Sequence, residues 1–67
     1  MKFWVVVEVT EGLPGPTQHR STNAMMVSAL TVVAARKAAR AEMRNRYPAA
    51  SQIKVASAEI APATFQD

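Results

Sequence analysis

The chain has 67 residues, with eight Lys and Arg against five Asp and Glu, one His and no Cys, for a formal net charge of +3 at pH 7. A chain of this length is one domain that buries only about 60% of the surface its unfolded form exposes. Without Cys it has neither disulfide staples nor thiolate metal sites, which leaves self-association as the expected extra support.

The opening MKFWVVVEVT has a Lys followed by an apolar run, as a secretory leader does, but the run is short and Glu8 interrupts it. No stretch approaches the ~20 apolar residues that span a bilayer, so a soluble, cytoplasmic protein without membrane contact is expected. Phe, Trp and Val suit a pleated, half-buried surface, and residues 2–10 read as a strand. Alternation puts Phe3, Val5, Val7 and Val9 on one face and Trp4, Val6, Glu8 and Thr10 on the other. Gly12, Pro14, Gly15 and Pro16 end it.

The next segment admits two readings. STNAMMVSAL begins either a long helix from Ser21 to Tyr47, giving βαβ, or a second strand, TNAMMVSA, with Met25 and Val27 on one face. The second is preferred, with residues 11–21 as a hairpin connection. Ser28 or Thr31 then caps an alanine-rich helix, VVAARKAARAEMRNRY, that runs without a breaker. Pro48 ends it, and Arg44 and Arg46 complement the negative end of its dipole. Val32, Ala35, Ala39 and Met43 form the stripe expected to meet the sheet. In SQIKVASAEI, residues 51–60, Ile53 and Val55 share one face while Ala56, Ala58 and Ile60 share the other. A bulge near Ala56, or a sheet apolar on both faces, accounts for that. The expectation is a small α+β domain over residues 1–60, ββαβ, with one helix on a mainly antiparallel three-stranded sheet. Residues 61–67 read as a flexible tail whose Phe65 is able to dock.

Catalytic chemistry is sparse. His19 is the only His; Thr17 and Ser21 lie close in sequence, but the only Asp is Asp67, so a solvated loop histidine is the preferred reading and no enzymatic function is expected. EGLPGPT lacks the Gly-Lys-Ser/Thr ending of a phosphate loop, and its two prolines remove N–H donors. One His with scattered Glu8, Glu11, Glu42 and Glu59 has no ligand spacing, so no metal or cofactor is expected.

Two surfaces remain. Arg36, Arg40 and Arg44, spaced by four with Lys37 beside them, make a basic ridge opposite the alanine stripe. Guanidiniums so spaced fork phosphates or carboxylates, and the plain alternative is a solubilising face. On the sheet, Trp4 and Val6 face away from the helix, joined by Ala24, Met26, Ala56 and Ala58, and such a patch marks an interface. Homodimerisation through the sheet is expected, with His19 and Arg20 of the connection touching a partner. Only Phe3, Trp4, Tyr47 and Phe65 are aromatic, too few for the interleaving of an RNA-binding sheet, which favours protein partners over nucleic acid.

A valine strand followed by MMVSALTVVAARKAARAE, a short strand passing through Ser, Ala and Thr into an Ala- and Arg-rich helix, resembles small phage and prophage proteins of ββαβ architecture. Some anti-CRISPR inhibitors are similar in length and layout. The resemblance covers most of the chain as a pattern, with no motif of its own. It implies an inhibitor that occupies a partner's surface in the host-cell cytoplasm, such as the nucleic-acid-binding face of a CRISPR effector complex, and it carries over no catalytic residue. The basic ridge departs from the acidic character of inhibitors that imitate DNA and is compatible instead with Arg contacts to backbone phosphates.

Overall fold

A computed structural model, described here over residues 1–61, has the order β1 (Lys2–Glu11), β2 (His19–Ser28), α1 (Val32–Arg46), β3 (Ala50–Ile60). This is the ββαβ architecture, and it excludes the long-helix alternative. β2 pairs antiparallel with β1 from Lys2↔Ser28 to Glu11↔His19 without a slip. The sheet order is β2-β1-β3 with both neighbours antiparallel to β1, so the most apolar segment of the chain is the central strand. Ala61, expected as the first residue of the tail, is buried and its amide donates to the Lys2 carbonyl at 3.0 Å, and the rest of the expected tail, residues 62–67, lies outside the described residues. Phe65 lies outside the described residues.

The hairpin connection is shorter than expected, residues 12–18. Gly12 and Gly15 take φ of 86° and 138°, a region that side chains with a Cβ disfavour, and the Gln18 amide closes on the Gly15 carbonyl at 3.1 Å. The chain therefore turns soon enough for His19 and Arg20 to enter β2. Their polarity suggested a loop, but an edge strand tolerates polar residues at its end.

Thr31 caps α1, its Oγ1 accepting from the Ala34 amide at 3.1 Å. Ala35, Ala39 and Met43 are buried against the sheet, and their small side chains at 35 and 39 let the helix approach closely. Val32 departs from the expected stripe: at the first helical position, where the chain is still entering from β2, it stays 40% exposed. The core joins these residues to Phe3, Val5, Val7, Val9, Val27, Ala50 and Val55.

β3 contains the bulge. Ser57 lies opposite Val6 and Val55 opposite Val7, leaving Ala56 as an extra residue. Phase therefore changes at Ala56, and Ile53, Val55, Ala58 and Ile60 pair with Val9, Val7, Val5 and Phe3 on the helix side. A second shift, between Thr10 and Glu11, leaves Ser51 extra. Its Oγ lies 3.1 Å from the Thr10 carbonyl and 3.2 Å from that of Gly12, tying the start of β3 to the hairpin.

Candidate functional site

On the sheet face away from α1 the register builds rows. Met26, Trp4 and Glu59 form one, and Ala24, Val6 and Ser57 the next. Thr22, Glu8 and Lys54 follow, then Arg20, Thr10 and Gln52. Two rows that are apolar on β2 and β1 and polar on β3 are thus succeeded by two polar ones. Trp4, Val6 and Met26 are half-buried, and Ala24 is exposed. Ala58, expected to join this face, lies instead opposite Val5 and packs on the core, because the extra residue at Ala56 reverses the alternation.

The five residues expected to touch a partner do not form one patch. Trp4, Val6 and Met26 are neighbours. Arg20 shares their face but lies six residues along β2 from Met26, about 20 Å away. His19, the residue before it on the strand, points to the helix side. The expectation that both belong to the connection is corrected by their pairing with Glu11 and Thr10.

The basic ridge is also divided. Arg36, Lys37, Arg40 and Arg44 are all exposed, but the Arg44 Nη1 donates to the Ala50 carbonyl at 2.9 Å and so joins the helix end to β3. Among the described residues the ion pair is Arg46 with Glu42, at 3.2 Å. That leaves Arg36, Lys37 and Arg40 without a carboxylate in ion-pair range among those residues.

Two features escaped the sequence reading. Tyr47, just past α1, donates its hydroxyl to Asn23 Oδ1 at 3.2 Å, and Asn23 Nδ2 donates to Ser21 Oγ at 3.4 Å. This chain fills the polar half of β2's inner face; only the i, i+2 spacing of Ser21 and Asn23 hinted at it. The other is an apolar end. Met1, Leu30, Val33 and Ile60 are exposed where β1 starts, β2 and β3 end and α1 begins.

Among the described residues there is no enclosed pocket, no cluster of three His, Asp or Glu fit for a metal ion, and no helix long and apolar enough to cross a membrane. Comparison with known protein families, with curated proteins and with solved structures returns no match.

Proposed function

We infer that the chain is a non-enzymatic binding module whose partner is a protein, held on the sheet face away from α1. One observation carries the reading: Val6, Met26 and Ala24 sit side by side with Trp4 in two apolar rows, and α1 packs on the other face. Interfaces commonly combine such an apolar centre with a polar rim, and here Glu59 and Ser57 flank it on β3 while Thr22, Glu8 and Lys54 close one end. The resemblance to small phage inhibitors supports occlusion of a CRISPR effector surface as the mode of action. The test is inhibition of target-DNA binding by purified effector complexes. The natural chain is expected to inhibit at least one of them, and Val6→Lys, checked for folding by circular dichroism, is expected to abolish the effect. No inhibition of any complex, or equal inhibition by the variant, overturns the reading.

A second reading, nucleic-acid binding through the helix, is favoured by the exposure of Arg36, Lys37 and Arg40 without acidic partners among the described residues. Phosphate contacts release counterions, so affinity for a DNA duplex should fall linearly with salt on a logarithmic scale. Arg36→Glu with Arg40→Glu should remove it. Binding that ignores salt, or survives both reversals, overturns this reading.

A further inference from the structure

The sheet is open, and its two edges are unlike. β3 slips twice against β1, at Ala56 and Ser51, carries Lys54 and Glu59, and α1 lies mainly over it and β1. Bulges, charges and cover are the means by which an edge is kept from pairing. Among the described residues β2 has none of them along its open edge over most of its length. It runs ten residues in unbroken register, and from Ser21 to Ser28 it holds neither a charge nor a proline.

The direction of its backbone groups follows from one bond. The Ala29 amide donates to the Met1 carbonyl at 2.9 Å, continuing the β1–β2 ladder by one pair. Antiparallel ladders alternate, so the odd residues of β2 bond to β1 and the even ones turn outward. Arg20, Thr22, Ala24, Met26 and Ser28 therefore direct their N–H and C=O groups to the open edge, and no turn or loop bond among the described residues takes them.

We propose that this edge pairs antiparallel with β2 of a second copy across a two-fold axis at Met25, fusing two three-stranded sheets into one of six. Hydrogen-bonded pairs must join even residues to even residues, which restricts the register. With the axis at Met25, Ala24 lies opposite Met26 of the second copy and Thr22 opposite Ser28. The apolar rows of the two outer faces then run together, and on the inner face Met25 meets its own counterpart. An axis at Ala24 sets Met26 against Thr22, and one at Asn23 sets it against Arg20. An axis at Met26 keeps apolar neighbours but shortens the ladder to residues 24–28. On the outer face the Met25 register alone joins like with like over residues 22–28 and leaves Arg20 outside the ladder, while on the inner face it sets Asn23 opposite Val27.

Single-cysteine variants test this, because the natural chain has no Cys to compete. Met25 would face its counterpart at a non-hydrogen-bonded position, where Cα atoms lie about 4.5 Å apart, within disulfide range. Oxidation of Met25→Cys is expected to give a covalent dimer on a non-reducing gel, while Asn23→Cys and Ser21→Cys stay monomeric. Ala24→Pro, whose lost N–H points away from β1, is expected to keep the circular dichroism of the natural chain and to sediment as a monomer where the natural chain sediments as a dimer. A natural chain that sediments as a monomer overturns the proposal. So does cross-linking of Asn23→Cys or Ser21→Cys to the same extent as Met25→Cys. Met25 faces the helix side, so this outcome is independent of whether the outer face holds a protein partner.

Discussion

Arg40 and Arg44 lie one turn apart on the same exposed helix, yet their removal should have different effects. The Arg44 guanidinium holds the Ala50 carbonyl where the chain returns from α1 to β3, whereas Arg40 has no such bond among the described residues. Arg44→Ala is expected to cost about 1 kcal/mol, the net worth of such a bond at a partly solvated site. Arg40→Ala should fall within about 0.5 kcal/mol of the natural chain. Urea midpoints measured side by side check this, and equal midpoints would contradict it. The spacing of the arginines was readable in the sequence; the bond was not, because its acceptor is brought to Arg44 only by the turn at Pro48 and Ala49. Met43 is the opposite case. Its place on a stripe with Ala35 and Ala39 was evident from spacing, and it is fully buried. Met43→Ala should cost about 2–5 kcal/mol. A domain of this size has roughly 3–10 kcal/mol in all, so the variant is expected to lose most of its cooperative urea transition. A midpoint within experimental error of the natural one would show that the helix is not anchored there.

Among the elements, β3 departs furthest from a simple pattern. Its apolar residues change phase between Val55 and Ala58, and the phase change itself pointed to the bulge at Ala56. Nothing comparable announced the slip at Ser51, whose hydroxyl reaches carbonyls of a distant hairpin. The start of β2 was obscured for a related reason: His19 and Arg20 look like loop, and only the quick turn through Gly12 and Gly15 brings them opposite Glu11 and Thr10. The bulge gives a sharp expectation about deletions. Removing Ala56 leaves Ser57 opposite Val6 and Val55 opposite Val7, so β3 pairs regularly and every other side chain keeps its face. Removing Lys54 lets the bulge absorb the gap, but it moves Val55 out opposite Glu8 and puts Ala56 in its place opposite Val7. That exchange replaces a buried Val by Ala, on the order of 1–2 kcal/mol. The Ala56 deletion should therefore melt above the Lys54 deletion in a thermal scan, and the reverse order would refute this account of the register.

At the scale of the molecule, the lengths of the elements do not match. A helix of 15 residues spans about 22 Å, while strands of ten and eleven residues run about 33 Å or more. One helix therefore cannot cover the inner face from end to end, and it covers nothing of the outer one. The body is correspondingly drawn out, 41 × 19 × 15 Å, a shape with much surface for its volume. The identity of the four elements was open to reading because each is set by local pattern, but this imbalance depends on how they stack. Pairing at the β2 edge leaves that imbalance in place but satisfies the open backbone groups of the edge, extending the sheet and joining the two outer apolar faces. If the folded state is that dimer, unfolding separates two chains, and the midpoint must then rise with concentration by mass action. A tenfold increase adds about 1.4 kcal/mol per dimer, or half that per chain, which for a domain of this size moves the thermal midpoint by roughly 3–6 °C. Ala24→Pro, with its edge closed, should melt at one temperature regardless of concentration. A natural chain that also melts independently of concentration would mean that the folded monomer is stable with its β2 edge unpaired.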